Sequence, residues 1–137
     1  MSQLPSLEEV KAFFAEAFVA EGRAEVVELG EGTAKVRLEI KDMHKRPGGY
    51  VSGPTQLAMA DTATYAAIFT RLGITPMAVT TSLNMSFLRP LICDVALAEA
   101  RIIKLGRMLA VAEVNLRGEG SHSPAGHAVV TYALPRD

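Results

Sequence analysis

Residues 53 to 72, GPTQLAMADTATYAAIFTRL, constrain the fold more than any other stretch, because a helix built from them is small or apolar on nearly every side. Leu57, Ala58, Met59, Ala60, Ala63, Tyr65, Ala66, Ala67, Ile68 and Phe69 leave little polar surface, and such helices are normally buried. The start is marked by Ser52 or Gly53 as N-cap, with Pro54 where a missing N–H costs nothing, and Gly73 marks the stop. Asp61 is the helix's one carboxylate. Leu57, Ala58, Thr64 and Tyr65, the positions within reach along the helix, supply no cation for it. An unpaired carboxylate is costly to bury, and acids kept in such places are enriched at functional sites. Asp61 is therefore the first candidate for chemistry.

Elements that could bury this helix lie on both sides of it. Ser6 and Glu9 form a capping box, and Leu7, Val10, Phe13, Phe14 and Phe18 recur at helical spacing, which predicts an amphipathic helix over 7–20. Residues 23–29 read as a strand, Gly30-Glu31-Gly32 as a turn, and Ala34, Val36, Leu38 and Ile40 alternate with Lys35, Arg37 and Glu39 as a half-buried strand. A polar loop, KDMHKRPGGYVS, covers 41–52, and its Gly48 and Gly49 allow backbone to approach a ligand. Beyond Pro76, strands are predicted at 78–88, 94–105, 108–117 and 125–134. In the first of these, alternation puts Val79, Thr81, Leu83, Met85 and Phe87 on one face and Thr80, Ser82, Asn84 and Ser86 on the other. The order of helix, two strands, central helix and four strands predicts an α+β domain over 1–137, an antiparallel sheet wrapped around one helix.

Composition removes several classes of function. With 14 Lys+Arg against 15 Asp+Glu, bulk charge points to neither nucleic acid nor a membrane surface. One cysteine, Cys93, rules out an internal disulfide framework, and His44, His122 and His127 lack ligand spacing, so no metal is expected. The N-terminus carries no basic region followed by an apolar run, and no stretch is long and apolar enough to span a bilayer; a cytoplasmic location is expected.

The start of the central helix offers a second chemical asset. Its unpaired N–H groups near Gly53, at the positive end of the dipole, suit an anion or a developing oxyanion. Eight residues separate Gly53 from Asp61, roughly 12 Å along a helix axis, so the two cannot meet on one small reacting group within one chain. Joint action requires two chains with their central helices antiparallel, hence a homodimer. Ser52 is more simply a cap than a nucleophile, since the run GYVSG lacks a glycine two residues before it. Lys104-Leu105-Gly106-Arg107 forms a basic turn suited to phosphate, to which Arg71 and Arg89 are possible additions.

These features together resemble the hotdog-fold acyl-CoA thioesterases of the PaaI-like class, named for phenylacetate degradation. The resemblance rests on GGYVSGPTQLAMADTA, AVTTSLNMSFLRP, the KLGR turn and GHAVVTYALP, and covers the chain from about residue 25. It implies a long helix wrapped by a curved antiparallel sheet, with the extra N-terminal helix outside that frame. It also implies an active site between subunits of a homodimer, dimers that pair into tetramers, and an acyl-CoA substrate with no separate cofactor.

Residue by residue, the resemblance makes Asp61 the general base or nucleophile and Gly53 N–H the group that polarises the thioester carbonyl. Thr80 or Thr81 helps to place the attacking water. Lys104, Gly106 and Arg107 lie near the coenzyme A phosphates. Arg46, Gly48, Gly49, Ser52, Pro54 and Tyr65 complete the expected substrate-binding set. Where many members have His-Gly-Gly this chain has Ser52-Gly53-Pro54, and Arg46 replaces a loop Asn. The implied reaction is hydrolysis of an acyl-CoA to acid and CoA. A non-catalytic acyl-CoA-binding protein and, less readily, a hydratase or dehydratase are the rivals; the latter needs a histidine beside the acid.

Overall fold

The computed structural model describes residues 4–135. Its elements are α1 (Leu7–Ala17), β1 (Glu25–Gly30), β2 (Thr33–Glu39), a 3-10 turn (Asp42–His44), α2 (Gly53–Leu72), β3 (Val79–Phe87), β4 (Val95–Leu105), β5 (Leu109–Gly118) and β6 (Gly126–Ala133). The six strands form one antiparallel sheet in the order β1-β2-β4-β5-β6-β3, which curves around α2 as a hotdog fold with an added N-terminal helix.

Local chemistry sets the helix ends. Ser6 Oγ accepts from Glu9 N–H at 3.1 Å while Glu9 Oε1 accepts from Ser6 N–H at 3.0 Å, closing the box that starts α1. This helix stops at Ala17, three residues short of its predicted end. Past Phe18 the apolar stripe has nothing left to cover: Val19, Ala20 and Glu21 are exposed. Ser52 is the N-cap of α2, its hydroxyl oxygen accepting from Thr55 N–H at 3.3 Å, and Gly73 ends the helix at φ 85°, where a side chain would be strained.

The core is made of small side chains. On the inner face of the sheet, Ala96, Ala98, Ala100, Ala110, Ala112 and Ala128 are buried among Val36, Val114, Leu116 and Val130. Ala60, Ala63, Ala66 and Ala67 of α2 meet them, so helix and sheet approach closely. Helix α1 lies over the second half of α2, with Phe13 edge-on to Phe69 at 5.3 Å and Phe14 edge-on to Tyr65 at 5.7 Å.

Burial of α2 is not complete, contrary to its apolar composition. Pro54, Leu57, Ala58, Asp61 and Thr62, spaced along one stripe, remain partly or fully exposed. Strand β3, at the sheet edge, is also open, with Val79, Phe87 and the following Leu88 exposed.

The alternation predicted for β3 is corrected by a bulge. Thr80 pairs with Tyr132 and Ser82 with Thr131, leaving Thr81 as the extra residue. Across the bulge the phase inverts. Thr80 therefore stands opposite inward-facing Tyr132, and Leu83 and Met85 stand opposite inward-facing Val130 and Ala128. The expected separation of Thr80 from the Leu83 face does not hold.

Candidate active site

Asp61 lies on the partly exposed stripe of α2, at the wall of a cavity of about 390 Å³. One wall is apolar: Phe14 and Phe18 from α1, Ala20 and Ala24 from the connection to β1, Tyr65 from α2 and Ala78 before β3. Arg23, Thr62, Thr80 and Tyr132 are the polar residues that line it beside Asp61. Among the described residues the acid has no ion-pair partner, as its helical neighbours predict, but it is not without hydrogen bonds. Thr80 Oγ1 donates to Asp61 Oδ1 at 2.6 Å, and Tyr132 Oη donates to the same oxygen at 2.8 Å. Tyr132 Oη also lies 3.1 Å from the Asp61 main-chain carbonyl oxygen. The two hydroxyls reach one carboxylate oxygen because their residues pair directly across β3 and β6.

Burial drives the Tyr132 phenol far above its ordinary range; the Thr80 hydroxyl acts against this, and the adjoining Asp61 charge adds to it. Tyr65 is raised in the same direction, first by burial and then by Asp61. Its hydroxyl is already committed, donating to Pro76 O at 2.8 Å, so Tyr65 presents its ring to the cavity.

Gly53 lies on a second cavity, of about 540 Å³, with Arg46, Tyr50, Val51, Gln56, Phe87 and Arg89. As the first residue of α2 it carries an N–H that the helix cannot use. Among the described residues no carboxylate lines this cavity, and two guanidinium groups do. Asp61 and Gly53 thus open onto different cavities of one chain, as the helical spacing requires.

The other expected site residues divide. Arg46 lines the Gly53 cavity, whereas Gly48 and Gly49, at φ 97° and 80°, close a turn tied by Gly49 N–H to Arg46 O at 3.0 Å. Ser52 is occupied by capping, its hydroxyl also donating to Thr55 Oγ1 at 2.9 Å, and Pro54 sits exposed in the first turn. Of the two threonines, Thr80 touches Asp61, while Thr81 donates to Thr131 O at 3.3 Å. Met59 of α2 is buried in the core and lines neither cavity.

The basic turn of Lys104, Gly106 and Arg107 is exposed and lines neither cavity. It does sit at the Asp61 end of the sheet, since Ala110 pairs with Tyr132 and Leu134 N–H donates to Met108 O. Arg89 is at the opposite end, beside Gly53, and Arg71 lies near Gly32 at the end of α2; neither joins the turn. None of the three histidines lines the Asp61 cavity. His44 is structural: its Nδ1 accepts from Lys41 N–H and its Nε2 bonds Gly22 O at 2.7 Å. Among the described residues no His, Cys, Asp and Glu cluster could hold a metal, and no helix is long and apolar enough to cross a membrane.

Sequence reasoning missed Tyr132, and it favours packing over a ligand role for α1, whose Phe14 and Phe18 line the cavity. The signal for Tyr132 was present: Ala128, Val130 and Tyr132 share one face of the last strand, and a buried tyrosine needs a partner for its hydroxyl.

The thioesterase superfamily model matches residues 48–125, a span that holds the α2 start, Asp61, Thr80 and the basic turn. The chain belongs to the thioesterase superfamily. This thioesterase is 35% identical to a candidate thioesterase of a Silicibacter species, over 99% of its own length and 96% of the relative's, with a TM-score of 0.88. It is 26% identical to a variant of the phenylacetic acid degradation protein PaaI of Thermus thermophilus, covering 90% of this chain and 99% of that one at a TM-score of 0.73. Zebra fish thioesterase superfamily member 2 shares the fold at 22% identity and TM-score 0.84, with coverage of 96% and 99%. No curated protein matches. The protein is a hotdog thioester hydrolase of the PaaI type.

Proposed function

We propose that this thioesterase hydrolyses an acyl-CoA, with Asp61 as the reacting acid and Gly53 N–H of a second copy as the donor to the thioester carbonyl. The observation that carries the reading is a carboxylate with one oxygen held by Thr80 and Tyr132 on the wall of a largely apolar cavity. An acyl group fits the wall of Phe14, Phe18 and Tyr65, and the carbonyl lies over Asp61. Two routes lead to the same products. Asp61 takes a proton from water as the water oxygen bonds to the carbonyl carbon, or its own oxygen makes that bond and water then cleaves the anhydride. In either route negative charge collects on the carbonyl oxygen, where Gly53 N–H stabilises it; the C–S bond breaks, and CoA thiolate leaves to take up a proton. Thioesters are reactive enough for one acid and one donor to serve.

Pairing of two copies is part of this reading. The open stripe of α2 and the exposed edge of β3 are surfaces that a second copy would cover, and edge strands of this length are usually protected by some partner. In that arrangement the basic turn, at the Asp61 end, is offered to the CoA phosphates, and Arg46 to the substrate at the Gly53 end. A hydratase reading lacks its histidine in the cavity.

The test is a hydrolysis screen across aliphatic and aryl acyl-CoAs with Asp61→Asn as control. Hydrolysis by the wild type and a loss of about 10²-fold or more in Asp61→Asn, with substrate still bound, is expected. Unchanged turnover in Asp61→Asn overturns the assignment, and binding without any hydrolysis favours the non-catalytic alternative.

A further inference from the structure

We propose that Tyr132 is a positioning residue for the reacting acid, fixing Asp61 Oδ1 together with Thr80 so that Oδ2 alone faces the substrate. This inference rests on the reading that Asp61 reacts. The terminal torsion of an aspartate is broad, so an untethered carboxylate would sample many orientations and present either oxygen. Here Oδ1 receives two hydroxyl hydrogen bonds, from residues that face each other across β3 and β6.

The phenol is suited to holding rather than reacting. Tyr132 is 3% exposed, and its burial keeps the proton on oxygen throughout the range in which a thioesterase works, so it remains a donor. Its ring is stacked on Tyr65, centroids 5.7 Å apart with 18° between planes, and Tyr65 is in turn tied to Pro76 O. The bulge at Thr81 accompanies the arrangement, bringing Thr80 to the face that holds Leu83 and Met85. Two strands and a stacked ring thus orient one carboxylate oxygen, which is how a positioned group gains rate without touching substrate.

Tyr132→Phe keeps the ring and its stacking and removes only the donor. The expected result is kcat lowered about tenfold to a hundredfold with KM nearly unchanged, and no additional loss when the substitution is placed in Asp61→Asn. Thr80→Val probes the same carboxylate oxygen from an exposed strand and is expected to behave alike, with Thr80→Ser restoring most of the rate. Wild-type kcat in Tyr132→Phe, or an equal loss in the Asp61→Asn background, overturns the inference and leaves Asp61 as the acid. An active Asp61→Asn enzyme removes both.

Discussion

At the scale of single residues, the outer face of the sheet carries its own electrostatic prediction, separate from the site. Glu113 accepts from Arg101 on the paired strand, and this hydrogen bond, followed by the Arg101 charge and then His127 at 3.5 Å, holds its carboxyl below the ordinary range. A carboxyl lowered in the folded state adds stability that is present above its unfolded value and is lost as pH falls through the folded one. Wild-type protein is therefore expected to lose stability on acidification below about pH 4.5, with Glu113→Gln losing less over the same window, as denaturant melts at stepped pH would register. His127 works in the same direction only while protonated. Among the candidate site residues, Asp61 stands out in the sequence because it breaks a local rule, a charge in an apolar helix, and Gly53 because a helix start leaves N–H groups unpaired. Tyr132 breaks none. Its role depends on a partner 71 residues away, and a period-two pattern reports which face a side chain takes without saying what waits there.

Among elements, α1 is the one whose place in the cavity wall its sequence pattern does not announce. Its stripe of Val10, Phe13 and Phe14 reads as packing, and those residues do pack, but Phe14 and Phe18 also complete the Asp61 cavity. Phe18 is 44% exposed, so truncating it leaves the core intact while widening that wall. Phe18→Ala is expected to move the preferred acyl group toward longer or bulkier chains by a few-fold in kcat/KM, with little change in Tm; measuring rates along a series of acyl lengths checks it. The reading of β3 failed for a different reason. Strict alternation assumes one residue per pleat, and no residue type in VTTSLNMSF announces the extra residue at Thr81. Strand β2 was correctly read because Ala34, Val36 and Leu38 face the core without interruption. The six strands and the central helix follow from patterns that are repeated over many residues, whereas a bulge is decided by one.

For the whole molecule, the separation of Asp61 and Gly53 into two cavities yields a prediction about mixing. Proline is tolerated at the first helical position, so Gly53→Pro removes the N–H donor; because residue 53 precedes Pro54, a thermal melt verifies that the variant folds, while Gly53→Ala retains the donor and serves as control. Asp61→Asn and Gly53→Pro should each be inactive alone. Random re-pairing of the two would place both lesions in one site and leave the other whole, returning about a quarter of wild-type activity. No recovery, with mixed dimers verified by mass, would count against a shared site. The packing beneath that site has a different consequence. A helix bedded on alanines has nowhere to move: an added methyl group on either surface costs about 1–3 kcal/mol, and α2 cannot retreat to admit a larger guest. Asp61 is thus mounted on the least adjustable part of the molecule. Retuning such an enzyme is a matter for its margins, the aromatic wall of α1 and the turns at either end, while the axle keeps its place.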